Sequence, residues 1–108
     1  MKSTVYFADE HLKEAYQKIL SSPEYLWLGR AIDRTIERLE HDAFSGTQVP
    51  KRLIPVEYIQ SYGIKNLWKC NLPHGWRLLY SARKEGTCVV SIVLAWMSHT
   101  DYERIFNY

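Results

Sequence analysis

The hydrophobic pattern changes period near the middle of the chain. Residues 4–8 (TVYFA) are β-branched and aromatic and predict a first strand. Asp9 then stands as a helix cap, and Leu12, Ala15, Tyr16, Ile19 and Leu20 share one face of a helix over residues 10–20. Ser21-Ser22-Pro23 ends it, and proline suits the first turn of a following helix. That second helix is expected over about residues 24–43, with Leu28, Ile32, Ile36, Leu39 and Ala43 as its apolar stripe. Arg30, Asp33, Arg34, Glu37, Arg38 and Glu40 fill the other positions with alternating signs, the mark of a solvated face. Residues 47–63, with Pro50 and Pro55, read as irregular with a short helical turn near residues 57–62.

Beyond this point the period becomes two. In residues 66–72 (NLWKCNL), Trp68, Cys70 and Leu72 face one way and Leu67, Lys69 and Asn71 the other. Pro73-His74-Gly75 is a turn. Residues 76–83 alternate again, with Trp76, Leu78, Tyr80 and Ala82 set against Arg77, Leu79, Ser81 and Arg83. Lys84-Glu85-Gly86 reads as a second hairpin turn, with glycine free to take a positive φ. Residues 87–97 are apolar on both faces, as a central buried strand requires, and a short helix over residues 98–106 follows. The predicted order is β-α-α-β-β-β-α: an α+β domain over residues 1–108. Its sheet is mainly antiparallel, with the two long helices on one face. The opposite face is expected to be open and to carry Lys69, Asn71, Arg77 and Ser81.

Composition narrows the class. A chain of 108 residues, 46% hydrophobic and 24% charged, is one small globular domain and too apolar for disorder. No apolar run approaches the roughly 18 residues of a membrane span, and no apolar leader follows Met1, so a cytoplasmic protein is expected. Cys70 and Cys88 lack CxxC or metal-ligand spacing and read as small buried residues. Nucleotide-loop, serine-hydrolase and zinc-protease motifs are absent, and no cofactor or metal is implied.

Charge placement says more than the total of +2. Lys51, Arg52, Lys65, Lys69, Arg77, Arg83 and Lys84 face only Glu57 and Glu85 within residues 51–85. Such a basic segment suits an anionic partner, or protects strand edges from aggregation. A tight hairpin through Pro73–Gly75 places Lys69 and Arg77 on one sheet face, where their mutual repulsion is relieved by a phosphate. The alternative is that Arg77 pairs with Glu57 or a helix carboxylate and Lys69 points into water. Ser98 is positioned to cap the last helix, with Asp101 three residues on, which makes His99 its first residue. A helix N-terminus disfavours an added positive charge, so His99 is a candidate proton acceptor. Tyr102 is expected on the same helix face. His11 and His41 read as exposed, and His74 lies in a turn. The four tryptophans are able to stack on bases, but most read as core; the exception is Trp96, near His99.

Residues 67–72 (LWKCNL), 75–80 (GWRLLY) and 89–97, followed by Ser98-His99-Thr100-Asp101-Tyr102-Glu103, resemble in order and spacing the RelE/ParE superfamily of bacterial and archaeal toxins. The likeness covers roughly residues 64–106; the N-terminal strand and helices agree in order only. It implies a compact toxin held in a heteromer by a cognate antitoxin protein. RelE-like members are ribosome-dependent endoribonucleases, or mRNA interferases. They cut mRNA without a metal, through attack of a 2′-hydroxyl on the adjacent phosphate. On that pattern Lys69 and Arg77 hold the phosphate and His99 moves a proton. Asn71, Tyr102 and Arg83 contact substrate, Tyr102 by stacking on a base. ParE-like members instead bind DNA gyrase. Asn71 stands where a second lysine is frequent, and Thr100 where arginine is common. A non-catalytic binder of the same fold, gyrase inhibitor or inactive relic, therefore stays open beside the nuclease.

Overall fold

The computed structural model describes residues 1–106, which form an α+β fold with four α-helices and a mixed five-stranded sheet. The first strand, β1 (Thr4–Phe7), leads into α1 (Glu10–Leu20), and the Asp9 carboxylate accepts the Leu12 N–H at 2.9 Å as its cap. The second helix, α2 (Leu26–His41), is shorter at both ends than the expected span of about residues 24–43. A turn through Pro23 delays its start. At its end the Asp42 side chain takes the Phe44 N–H at 3.0 Å and the Met1 ammonium at 2.8 Å, which turns the backbone out of the helix. Both partners hold the Asp42 carboxyl below its usual range, the ammonium more strongly. The helices α1 and α2 approach closely at Gly29, where a β-carbon would lie 2.7 Å from Leu20 Cδ2.

The segment expected to be irregular contains a two-residue strand, β2 (Thr47–Gln48), and, where a short helical turn is expected, the helix α3 (Val56–Tyr62). Then come β3 (Trp68–Asn71), β4 (Arg77–Glu85), β5 (Cys88–Met97) and α4 (His99–Phe106). The expected order therefore gains β2 and α3. The strands lie in the order β1-β5-β4-β3-β2, with β1 parallel to β5 and the other pairs antiparallel. As its two apolar faces predict, β5 is interior to the sheet. The second hairpin is tighter than expected: Glu85 pairs with Cys88, and Gly86, at φ +63°, occupies the turn. Cys88, beside that turn, is exposed, contrary to its expected burial. Cys70 is buried, which pushes its thiol pKa up.

Apolar packing occupies both sides of the sheet. On one side α1 and α2 bury Leu28, Ile32 and Leu39 against Leu78, Tyr80 and Val93. Trp96 packs on this side, edge-on to Phe7, and so stands apart from the basic face. On the other side Tyr102 and Phe106 of α4 close over Leu67, Leu79, Leu94 and Met97, and Tyr58 and Tyr62 of α3 pack against the same cluster. A register shift after Leu79 pairs it with Ala95 and its neighbour Tyr80 with Val93, leaving Leu94 as the extra residue. Leu94 and Ala95 consequently both join this second cluster. The expectation of an open second face is corrected here. Too many apolar side chains leave the sheet on that side for it to remain in water, and α3 and α4 cover them.

Candidate active site

The basic residues gather at the margin left beside α4. Asn71 on β3 is the register partner of Arg77 on β4, and Lys69 pairs with Leu79 one pleat along, so all three share a face as the alternation predicts. Tyr102 completes the cluster from α4. Lys69 Nζ lies 5.2 Å, and Arg77 Cζ 5.6 Å, from the centre of its ring. One aromatic quadrupole thus holds two like charges near each other, each contact contributing about 0.5–2 kcal/mol according to its exposure.

Arg77 is fixed from behind. Its Nη1 donates to the carbonyls of Gly75 at 2.7 Å and Trp76 at 3.2 Å. Its Nε is buried with no hydrogen-bond acceptor among the described residues. Neither Glu57 nor any other described carboxylate pairs with it. Carbonyl oxygens orient a guanidinium without neutralising it, and an unmet buried donor costs about 1–3 kcal/mol. The charge is therefore preorganised and uncompensated.

His99 enters the same neighbourhood through the Pro73–Gly75 turn. Leu72 N–H donates to Trp76 O at 2.8 Å, closing a turn in which His74 and Gly75 take φ of 60° and 78°. A β-carbon on Gly75 would lie 3.3 Å from His99 Cβ, so the glycine lets the histidine stand against the turn that anchors Arg77. The Ser98 cap is present, its Oγ accepting the Asp101 N–H at 3.3 Å. His99 Nε2 contacts the Glu103 carboxylate, and the histidine side chain is 54% exposed.

Of the expected substrate contacts, Tyr102 lies within the site but beneath its surface, and Arg83 lies away from it. Tyr102 is buried, 2% exposed, and stacked on Phe106 with ring centres 4.5 Å apart. Its ring is a platform for the two cations, a position that closes it to a base. It does not share the exposure of His99, because the apolar side of α4 turns into the second cluster. Arg83 lies six residues along β4 from Arg77, about 20 Å at the rise of a strand. There it pairs with Glu85 at 2.7 Å. It therefore belongs to the far end of the sheet, beside a cavity of about 810 Å³. Neither that cavity nor the anchoring role of Gly75 has a periodic signature; the only local hint for Gly75 is a glycine in a turn just before the basic strand.

Lys69, Asn71, Arg77 and His99 thus adjoin one margin of the sheet. Cations beside an imidazole are suited to binding a phosphodiester and moving a proton near it. Among the described residues, no group of three or more His, Cys, Asp or Glu is placed to hold a metal ion. No helix among them is long and apolar enough to cross a membrane. The chain matches no protein-family model, no curated protein and no solved structure.

Proposed function

We propose that this chain is a RelE-like toxin, a cytoplasmic endoribonuclease that cuts mRNA in the ribosome and is held in check by a cognate antitoxin. The observation that carries this reading is Arg77: a guanidinium oriented by two backbone carbonyls, left without a carboxylate, on the face shared with Lys69 and anchored on the turn against which His99 stands. In the proposed reaction a 2′-oxygen attacks the adjacent phosphorus, the P–O5′ bond breaks, and a 2′,3′-cyclic phosphate and a 5′-hydroxyl result. Arg77 and Lys69 stabilise the negative charge that builds on the phosphoryl oxygens. His99 serves the proton leaving O2′ or the one arriving at O5′, and Glu103 orients its ring. Asn71, across from Arg77, offers a neutral hydrogen bond to the same backbone.

The test is inducible expression followed by mapping of RNA ends. Wild type is expected to shorten transcripts. Arg77→Ala should lower cleavage about 10²–10³-fold, the usual effect of removing one preorganised donor. His99→Ala should lower it about 10²-fold or more with the fold intact. Intact transcripts in a translating extract at high dose of wild type would overturn the reading.

A non-catalytic binder of the same fold is favoured by two observations: Glu103 already engages His99, and Asn71 stands where a second cation would strengthen the site. On that reading induction produces topoisomerase-linked DNA damage, or no damage, while transcripts stay whole.

A further inference from the structure

A second site lies at the other end of β4, built from residues the nuclease reading does not use. A cavity of about 810 Å³ opens between the end of α3 and the β4–β5 hairpin. Its size falls within the roughly 300–1,000 Å³ of small-ligand pockets. Ala82 and Val89, of the first apolar cluster, line it on one face of the sheet, and Ile92 and Tyr62, packed on the second, on the other; Phe44 also lines it. Phe44 leans on Trp68 with ring centres 5.4 Å apart and is 45% exposed, so part of its ring is available to a ligand.

The charges at this cavity are of one sign. Lys65, Arg83 and Lys84 line it, and no lining residue is acidic. Glu85 engages Arg83, whereas Lys65 and Lys84 have no ion-pair partner among the described residues. The preferred occupant is therefore anionic at one end and flat and apolar at the other.

The sheet edge decides against a peptide added as a strand. Beyond Tyr80, β4 has no β3 residue beside it, because β3 begins at Trp68, the partner of Tyr80. An added strand would need the free backbone groups of β4 at this edge. Asn66 already occupies those of Ala82: its Nδ2 donates to Ala82 O at 2.7 Å, and its Oδ1 accepts Ala82 N–H at 3.0 Å. The same Oδ1 accepts the Ser81 hydroxyl at 3.0 Å. With the edge blocked at Ala82, which itself lines the cavity, a ligand bound through ring contacts and charge fits better than an added strand.

We propose that this cavity binds a single nucleotide, its base against Ala82 and Val89 beside Phe44 and its phosphate at Lys65 and Lys84. The site stands apart from Arg77 and is independent of the nuclease reading. It is tested by calorimetric titration of Arg77→Ala protein, so that phosphate bound at the first margin does not contribute. Adenosine 5′-monophosphate and uridine 5′-monophosphate should bind, with inorganic phosphate and free adenosine each about tenfold weaker or worse, since each keeps only one half of the recognition. Adding Lys65→Ala and Lys84→Ala should weaken mononucleotide binding about tenfold or more. Ser61→Trp, which fills the mouth from an exposed position, should abolish it, and Lys18→Ala on α1 should leave it unchanged. Phosphate binding as tightly as a mononucleotide, unchanged affinity in the lysine variants, or an acidic peptide displacing the nucleotide at lower concentration would each overturn the proposal.

Discussion

At Gly75 one residue carries three constraints. Its carbonyl anchors Arg77, its φ of 78° belongs to the left-handed region, and its missing β-carbon leaves room for His99. Gly75→Ala is expected to cost about 1–2 kcal/mol through backbone strain and to displace His99 by a few tenths of an ångström. Cleavage should fall further than the denaturation midpoint does; equal loss of both would make the glycine a purely structural residue. Tyr16 illustrates a different residue effect. Burial, and then its hydrogen bond to the Asp33 carboxylate, push its phenol up to about 12. In the unfolded chain the group ionises near 10, so the folded state holds more protons between about pH 10 and 12. Stability from this group is complete below that window and is lost as pH rises through it. Tyr16→Phe should flatten that fall in denaturant titrations. Lys69, Asn71 and Arg77 were legible in the sequence because alternation within each strand and the short Pro73–Gly75 turn between them place all three on one face. The surroundings of Tyr102 were not: an aromatic ring with a polar tip suits a base or a core, and only the packing of α4 selects the core.

Among the elements, β3 shows how one side chain sets a strand boundary. The alternating pattern begins at Asn66, yet the strand begins at Trp68, because Asn66 turns its carboxamide onto the backbone of Ala82. Asn66→Ala leaves the Ala82 N–H and C=O without these partners and is expected to cost about 1–3 kcal/mol. Hydrogen exchange at the Ala82 amide should quicken more than at Leu78, deep in the same strand. No quickening would mean another group satisfies that edge. The two long helices and the long strands β4 and β5 were legible because each carries its pattern over two turns or more, or over several residue pairs. The strand β2 was not: Thr47 and Gln48 are both exposed and take their conformation from pairing with Lys69 and Trp68.

For the molecule as a whole, the basic segment is divided between two ends of one sheet. Arg77 and Lys69 lie by α4, while Lys65, Arg83 and Lys84 lie by the far cavity. Affinity for single-stranded RNA should fall steeply with salt. Arg77→Ala and Lys69→Ala should each reduce the slope of log affinity against log salt by about 0.7, one phosphate contact apiece. An unchanged slope in both variants would place RNA, if bound, away from this margin. The sequence by itself determined the period of each half, the cap at Ser98 and the shared face of Lys69, Asn71 and Arg77, because these depend on how a side chain leaves its own backbone. Only the tertiary structure decided that α3 and α4 cover much of that face, that Tyr102 lies beneath the cations, that Glu103 meets His99, and that a cavity opens beside Lys65. Which element comes to rest on a given face depends on long-range burial summed over many weak contacts, and no local pattern encodes that sum.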